Sequence, residues 1–211
     1  AKLRLMRFAK VLFLICIFAA SVICQIDPLS QPGRFRAGWR SVTVTRPNST
    51  TFTARLYYPA TVAGQNGSFD GSAAPYPAIT FGHGFFQAVS SYQSTLEHLA
   101  THGYFVIASD SEGGLLPNHQ NFADDIKRCL TYLEQENANP ASTFFGQVAT
   151  SKFGASGHSM GGGIAALVAA RYPKLVAKVA LLDAAGVRFN DNQFGLDVLA
   201  GVGRQRGEGD P

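Results

Sequence analysis

The sequence predicts an α/β fold, a mostly parallel sheet with flanking helices, and three observations carry that prediction. From residue 78 onward, short apolar runs alternate with segments whose apolar residues recur at helical spacing, the pattern of βαβ units. Ahead of them lie two runs that alternate polar with β-branched or aromatic residues, as half-buried antiparallel strands do. Finally, a short buried strand at residues 153–157 runs into Gly157-His158-Ser159-Met160-Gly161 and straight out into an Ala-rich helix. With 211 residues, 46% of them hydrophobic and 15% charged, the chain can bury one substantial core.

Taken in chain order, residues 25–38 are punctuated by Pro28, Pro32 and Gly33 and read as a linker or N-terminal arm. Residues 40–45 and 53–58 are the two alternating strands, joined through Pro47 and Asn48. Residues 60–76, rich in Gly, Ser, Asn and Ala, read as a solvent loop. Residues 78–81 begin the buried part and end in Gly82-His83-Gly84. A helix over 92–101, closed by Gly103, leads to a strand at 104–108. Within 122–135, Ile126, Leu130 and Leu133 fall on one helical face. The helix at 164–172 is stopped by Pro173, and 176–182 is a further strand. The core thus covers 39–186. No confident strand-helix-strand pattern follows Leu182, so the core reads as incomplete and 187–211 as an irregular tail.

Residues 1–24 have the layout of a secretory signal: Lys2, Arg4, Arg7 and Lys10, then an apolar run from Val11 to Cys24. That run is shorter than the roughly 20 residues a membrane span needs, so export is expected and a stable span is not. The formal charge of +4 is carried by this segment, and the mature chain is near neutrality. Nucleic-acid binding therefore has no electrostatic support. After cleavage Cys129 alone remains of the cysteines, on the apolar face of a predicted helix, where core packing is the expectation. Asn48-Ser49-Thr50 and Asn66-Gly67-Ser68 are acceptor sequons, meaningful only in a host that glycosylates exported proteins.

The chemistry centres on Ser159. A serine on a sharp strand-to-helix turn presents its hydroxyl above the sheet, and flanking glycines spare it steric collision. The hydroxyl is a poor nucleophile at its free pKa and needs a base, usually a histidine oriented by a carboxylate. Two backbone N–H groups must also hold the oxyanion that develops on the carbonyl. One follows the nucleophile, here Met160. The other belongs to the loop after an earlier strand, where Phe85 is the candidate with Phe86 behind it. Phe85, Phe86 and Tyr92 suit either an apolar subsite or ordinary core positions.

Phe81-Gly82-His83-Gly84-Phe85, residues 96–110 and the stretch from Gly157 to Gly163 resemble the chlorophyllase and bacterial cutinase branch of α/β hydrolases. That branch includes poly(ethylene terephthalate) hydrolases and has platelet-activating-factor acetylhydrolases as relatives. The resemblance covers residues 40–182. It implies an α/β-hydrolase fold and hydrolysis of a hydrophobic ester (lipid, polyester or chlorophyll-like) through an acyl-serine, without a metal or organic cofactor. Cutinases place the triad acid on a later strand than this sequence reaches. Chlorophyllases and the acetylhydrolases place it directly after the next strand, where Leu181-Leu182-Asp183-Ala184 is similar to theirs. On that resemblance Asp183 is the triad acid; the alternative is a carboxylate at a strand end that caps a following turn.

The base is harder to place. All five histidines precede the nucleophile, whereas in this chain order the histidine comes last. His83 belongs with the oxyanion loop and is expected to hold its shape by hydrogen bonding. His98 and His102 stand at i,i+4, a spacing that suits metal ligation but lacks a third ligand, so a solvated helix face is expected. His119 reads as a loop residue, and His158 adjoins Ser159 in a common non-catalytic position. The expectation is a fragment, truncated or misread after about Gly186, whose serine is impaired. The rival expectations are a non-catalytic ligand-binding protein on the same scaffold and a peptidase sharing the elbow.

Overall fold

The computed structural model describes residues 28–185. The predicted signal and irregular tail lie outside the described residues. By its contacts the chain divides into a unit ending at Pro32, whose described part is a 3-10 turn at Pro28–Ser30, and a unit from Gly33 onward. The second unit holds seven strands: β1 (Arg36–Thr45), β2 (Thr51–Ala60), β3 (Gly64–Gln65), β4 (Tyr76–Gly82), β5 (Phe105–Ser109), β6 (Val148–His158) and β7 (Lys178–Leu182). Three helices connect the later strands: α1 (Gln93–Thr101), α2 (His119–Ala138) and α3 (Met160–Arg171).

The strands form one sheet in the order β3-β1-β2-β5-β4-β6-β7. β1–β2 and β2–β5 are antiparallel, and β5, β4, β6 and β7 are mutually parallel. This is the α/β-hydrolase architecture, and it fixes where a site can lie. From β4 the chain crosses to β5 on one side, then returns to set β6 on the other side of β4. A sheet that reverses its winding leaves a crevice at the carboxyl ends of the strands at the switch. Here β4 ends at Gly82, the register partner of Gly157, and β6 ends one residue later at His158.

Two expectations need correction. β1 begins at Arg36, inside the predicted arm, because its ten residues pair without a break from Arg36↔Ala60 to Thr45↔Thr51. Gly38 is tolerated there because the Tyr58 ring fills its place: a Cβ would stand 2.7 Å from Tyr58 Cε2. The predicted solvent loop at 60–76 contains β3 and carries Phe69, whose ring lies 5.3–6.2 Å from those of Tyr58, Tyr76, Phe105 and Phe144. One half-buried aromatic packed against this cluster anchors the segment despite the polar composition around it.

The core lies on both faces of the sheet. Ile126, Cys129, Leu130 and Leu133 of α2, with Ile164, Leu167 and Val168 of α3, cover one face against Phe105, Ile107 and Phe153. Leu96 and Ala100 of α1 cover the other, against Tyr57, Phe81 and Val106. Burial pushes the Cys129 thiol up, so it packs as a neutral group. His119 opens α2 instead of lying in a loop. Asn118 caps that helix, its Oδ1 accepting the Asn121 N–H at 2.9 Å. Among the described residues, no helix is long and apolar enough to cross a membrane.

Candidate active site

β6 ends at His158, α3 starts at Met160, and Ser159 makes the whole turn between them. Its backbone sits at φ 52°, ψ −120°, a region a residue with a Cβ rarely occupies. The turn is held from β7. Ser159 N–H donates to Leu182 C=O at 3.0 Å, and Ser159 C=O accepts from Gly162, Gly163 and Ala185 N–H. The glycines around it are steric necessities. A Cβ on Gly157 would run into the Gly161 carbonyl group, and one on Gly161 into the Gly82 and His83 carbonyl oxygens. The serine is half-buried, and its hydroxyl makes no capping bond to the helix it opens.

The close approach of Gly161 to Gly82 brings the β4 loop onto the start of α3. Met160 is the first residue of that helix, so its N–H has no intrahelical acceptor. Phe85 N–H likewise meets no backbone acceptor among the described residues. Its direction is set by His83, which is fully buried. One ring nitrogen, Nδ1, lies 2.8 Å from Gly84 O and the other, Nε2, 2.8 Å from Ser111 O. Gly84 C=O and Phe85 N–H belong to one trans peptide plane and point in opposite directions. A carbonyl turned towards His83 therefore turns Phe85 N–H away from it. Further bonds tie the loop after β5 to the same segment, for Asp110 Oδ1 accepts Val89 N–H at 3.1 Å. Phe85 and Phe86 are 50% and 59% exposed, so they lie on the surface and are not core residues. Tyr92 differs: its ring packs on Phe81 at 5.0 Å.

Asp183 stands between the two residues that grip the Ser159 backbone, Leu182 and Ala185, at φ 45°. Its side chain is exposed. None of the five histidine rings is hydrogen-bonded to Ser159 among the described residues. His158 Nδ1 is engaged with the Tyr92 hydroxyl at 2.9 Å, and His83 is enclosed as described. His98 on α1 and His102, which caps that helix at its C-terminus, have rings 4.7 Å apart. Among the described residues, no three His, Cys, Asp or Glu side chains are grouped to hold a metal ion.

The described geometry thus sets Ser159 in a strained turn at the switch crevice, with Met160 next to it at the start of α3, the β4 loop carrying Phe85 drawn onto that helix start, and Asp183 between the two residues that hold the Ser159 backbone. Reasoning from sequence had singled out Ser159, Met160, Phe85 and Asp183. It missed the polar role of Tyr92, whose partner His158 lies 66 positions away, a separation that periodicity cannot reveal. The chain matches the family described as PETase, PET hydrolase-like, over residues 30–192. It is also 35% identical over 127 residues to a protein of Mycobacterium phage D29 that bears the provisional name non-heme haloperoxidase. That match takes in 58% of this chain and 40% of the relative, so the chain spans less than half of the relative's length.

Proposed function

Because the chain belongs to the PET hydrolase-like family of α/β hydrolases, we propose that it carries the nucleophile and oxyanion donors of a serine carboxylic-ester hydrolase. The observation that carries this reading is Ser159 itself, held at φ 52° by its neighbours at the switch point. Backbone strain of this kind costs of order 1–3 kcal/mol and persists only where the surroundings enforce it.

In this reading Ser159 Oγ attacks the ester carbonyl carbon while its proton passes to a base. The carbonyl electron pair moves onto oxygen, where Phe85 and Met160 N–H receive it. Collapse breaks the ester C–O bond, the alcohol leaves with the proton, and water repeats the sequence on the acyl-serine. Asp183 is the acid that would orient the base. None of the described histidines bonds Ser159, so no general base is assigned among the described residues. Exposed Phe85 and Phe86, with rings 6.4 Å apart, favour a hydrophobic acyl or aromatic group in a lipid, polyester or chlorophyll-like ester. The basic start and apolar run of residues 1–24 support export of the protein.

The test is covalent. When this chain is incubated with p-nitrophenyl butyrate, peptide mapping is expected to find a butyryl group on Ser159. Ser159→Ala should abolish it. Equal acylation of that variant, or acylation elsewhere alone, would remove the assignment. The histidine placement favours one second reading, a ligand-binding protein on the same scaffold, which would bind hydrophobic esters without acylation.

A further inference from the structure

Tyr92 ends the 3-10 turn Val89–Tyr92 that precedes α1, and its hydroxyl joins two segments that the sheet does not. It accepts the Gly84 N–H at 2.9 Å and lies 2.9 Å from His158 Nδ1. A backbone N–H can only donate, so the phenol oxygen accepts there and its own proton is free for Nδ1. In that tautomer both contacts are satisfied and Nε2 carries the imidazole proton. The three groups meet closely: a Cβ on Gly84 would stand 2.9 Å from the Tyr92 hydroxyl and 3.0 Å from His158 Nδ1. Gly84 immediately precedes Phe85, and His158 immediately precedes Ser159. Beyond the last sheet pair, Gly82↔Gly157, this hydroxyl is the hydrogen-bonded bridge between loop and elbow among the described residues.

We propose that Tyr92 is a positioning residue whose hydroxyl clasps the oxyanion loop to the serine elbow and so sets Phe85 N–H relative to Ser159. The proposal rests on the acyl-serine reading above. The phenol touches no reacting atom; it acts through Gly84 and His158. Its ring, packed 5.0 Å from Phe81 and 5.6 Å from His158, holds the hydroxyl at the junction from the apolar side.

Tyr92→Phe in the full chain keeps the ring and removes the bridge. The limiting rate of p-nitrophenol release from p-nitrophenyl butyrate is expected to fall about tenfold or more, since a displaced oxyanion donor acts in the transition state. The half-saturating ester concentration should stay within about twofold, because ground-state binding is untouched. A second measurement needs no turnover: in 1H–15N spectra the Phe85 and Met160 amides should shift or broaden, with faster exchange at Gly84. An unchanged limiting rate in a chain that acylates Ser159, or spectral change confined to Gly84 and His158, overturns the proposal. Failure of the parent reading looks different. Release would then be insensitive to Ser159→Ala, while the amide spectra still report whether the clasp exists.

Discussion

At Ser159 the backbone is paid for by its neighbours, and substitution can separate strain from chemistry. Ser159→Ala keeps the Cβ and hence the strain at φ 52°, whereas Ser159→Gly relieves it. The glycine variant is expected to be more stable than the alanine variant by about 1–3 kcal/mol in urea denaturation, with neither forming an acyl adduct. Equal stability would show that the turn is unstrained. Gly161→Ala should act in the opposite sense. Its Cβ meets Gly82 and His83 carbonyl oxygens, which are backbone and cannot swing aside. Loss of about 1–3 kcal/mol, as for other overpacked sites, is expected together with loss of acylation. The elbow was legible because strand, Gly-x-Ser-x-Gly and helix follow one another in a single local pattern. The Tyr92 clasp was not, because hydrogen bonds between remote segments leave no periodic trace.

Among elements, the β1–β2 hairpin is fastened to α2 by one ion pair. Arg46, just past β1, donates from Nε and Nη2 to the two Asp125 oxygens at 2.8 and 2.6 Å, while its guanidinium lies 4.8 Å over the Phe52 ring. The Asp125 side chain is 1% exposed, so removing its partner strands a buried charge. Arg46→Ala should cost about 3–5 kcal/mol by chemical denaturation. Replacing both residues with apolar ones of similar volume should recover most of that loss. No recovery in the double variant would mean that the arginine stabilises the hairpin through Phe52 instead. The apolar spacing of Ile126, Leu130 and Leu133 did not single out Asp125. Helical spacing revealed the face of α2 but not that a carboxylate at its margin would be enclosed by a hairpin 79 positions away. The central parallel strands β4 and β5, by contrast, were legible as apolar runs because both their faces are covered, whereas β7 was legible from its composition alone and is exposed along its length. The full length of β1 was decided by pairing with β2, and the packing of half-buried Phe69 by aromatic contacts remote in sequence.

For the whole molecule, the sheet order places the carboxyl ends of β4 and β6 side by side, and this makes one site from segments more than seventy positions apart. The same enclosure by helices on both faces also governs how the fold responds to alkali. Tyr132 on α2 packs against the core, and burial, reinforced by the nearby Glu136 charge, pushes its phenol up to about 12. Burial likewise raises Tyr57 on β2. Both phenols are neutral in either state below about pH 10, the ordinary tyrosine value, so their contribution to stability is complete there. As pH rises from about 10 towards about 12, the unfolded chain gives up the Tyr132 proton while the folded chain keeps it, and stability must fall. The urea midpoint is therefore expected to decline across that interval. In Tyr132→Phe the decline should be shallower, because this variant has no phenol to ionise in the unfolded state. A slope identical to that of the parent would show that Tyr132 ionises alike in both states, and that the face of α2 carrying it is open to water.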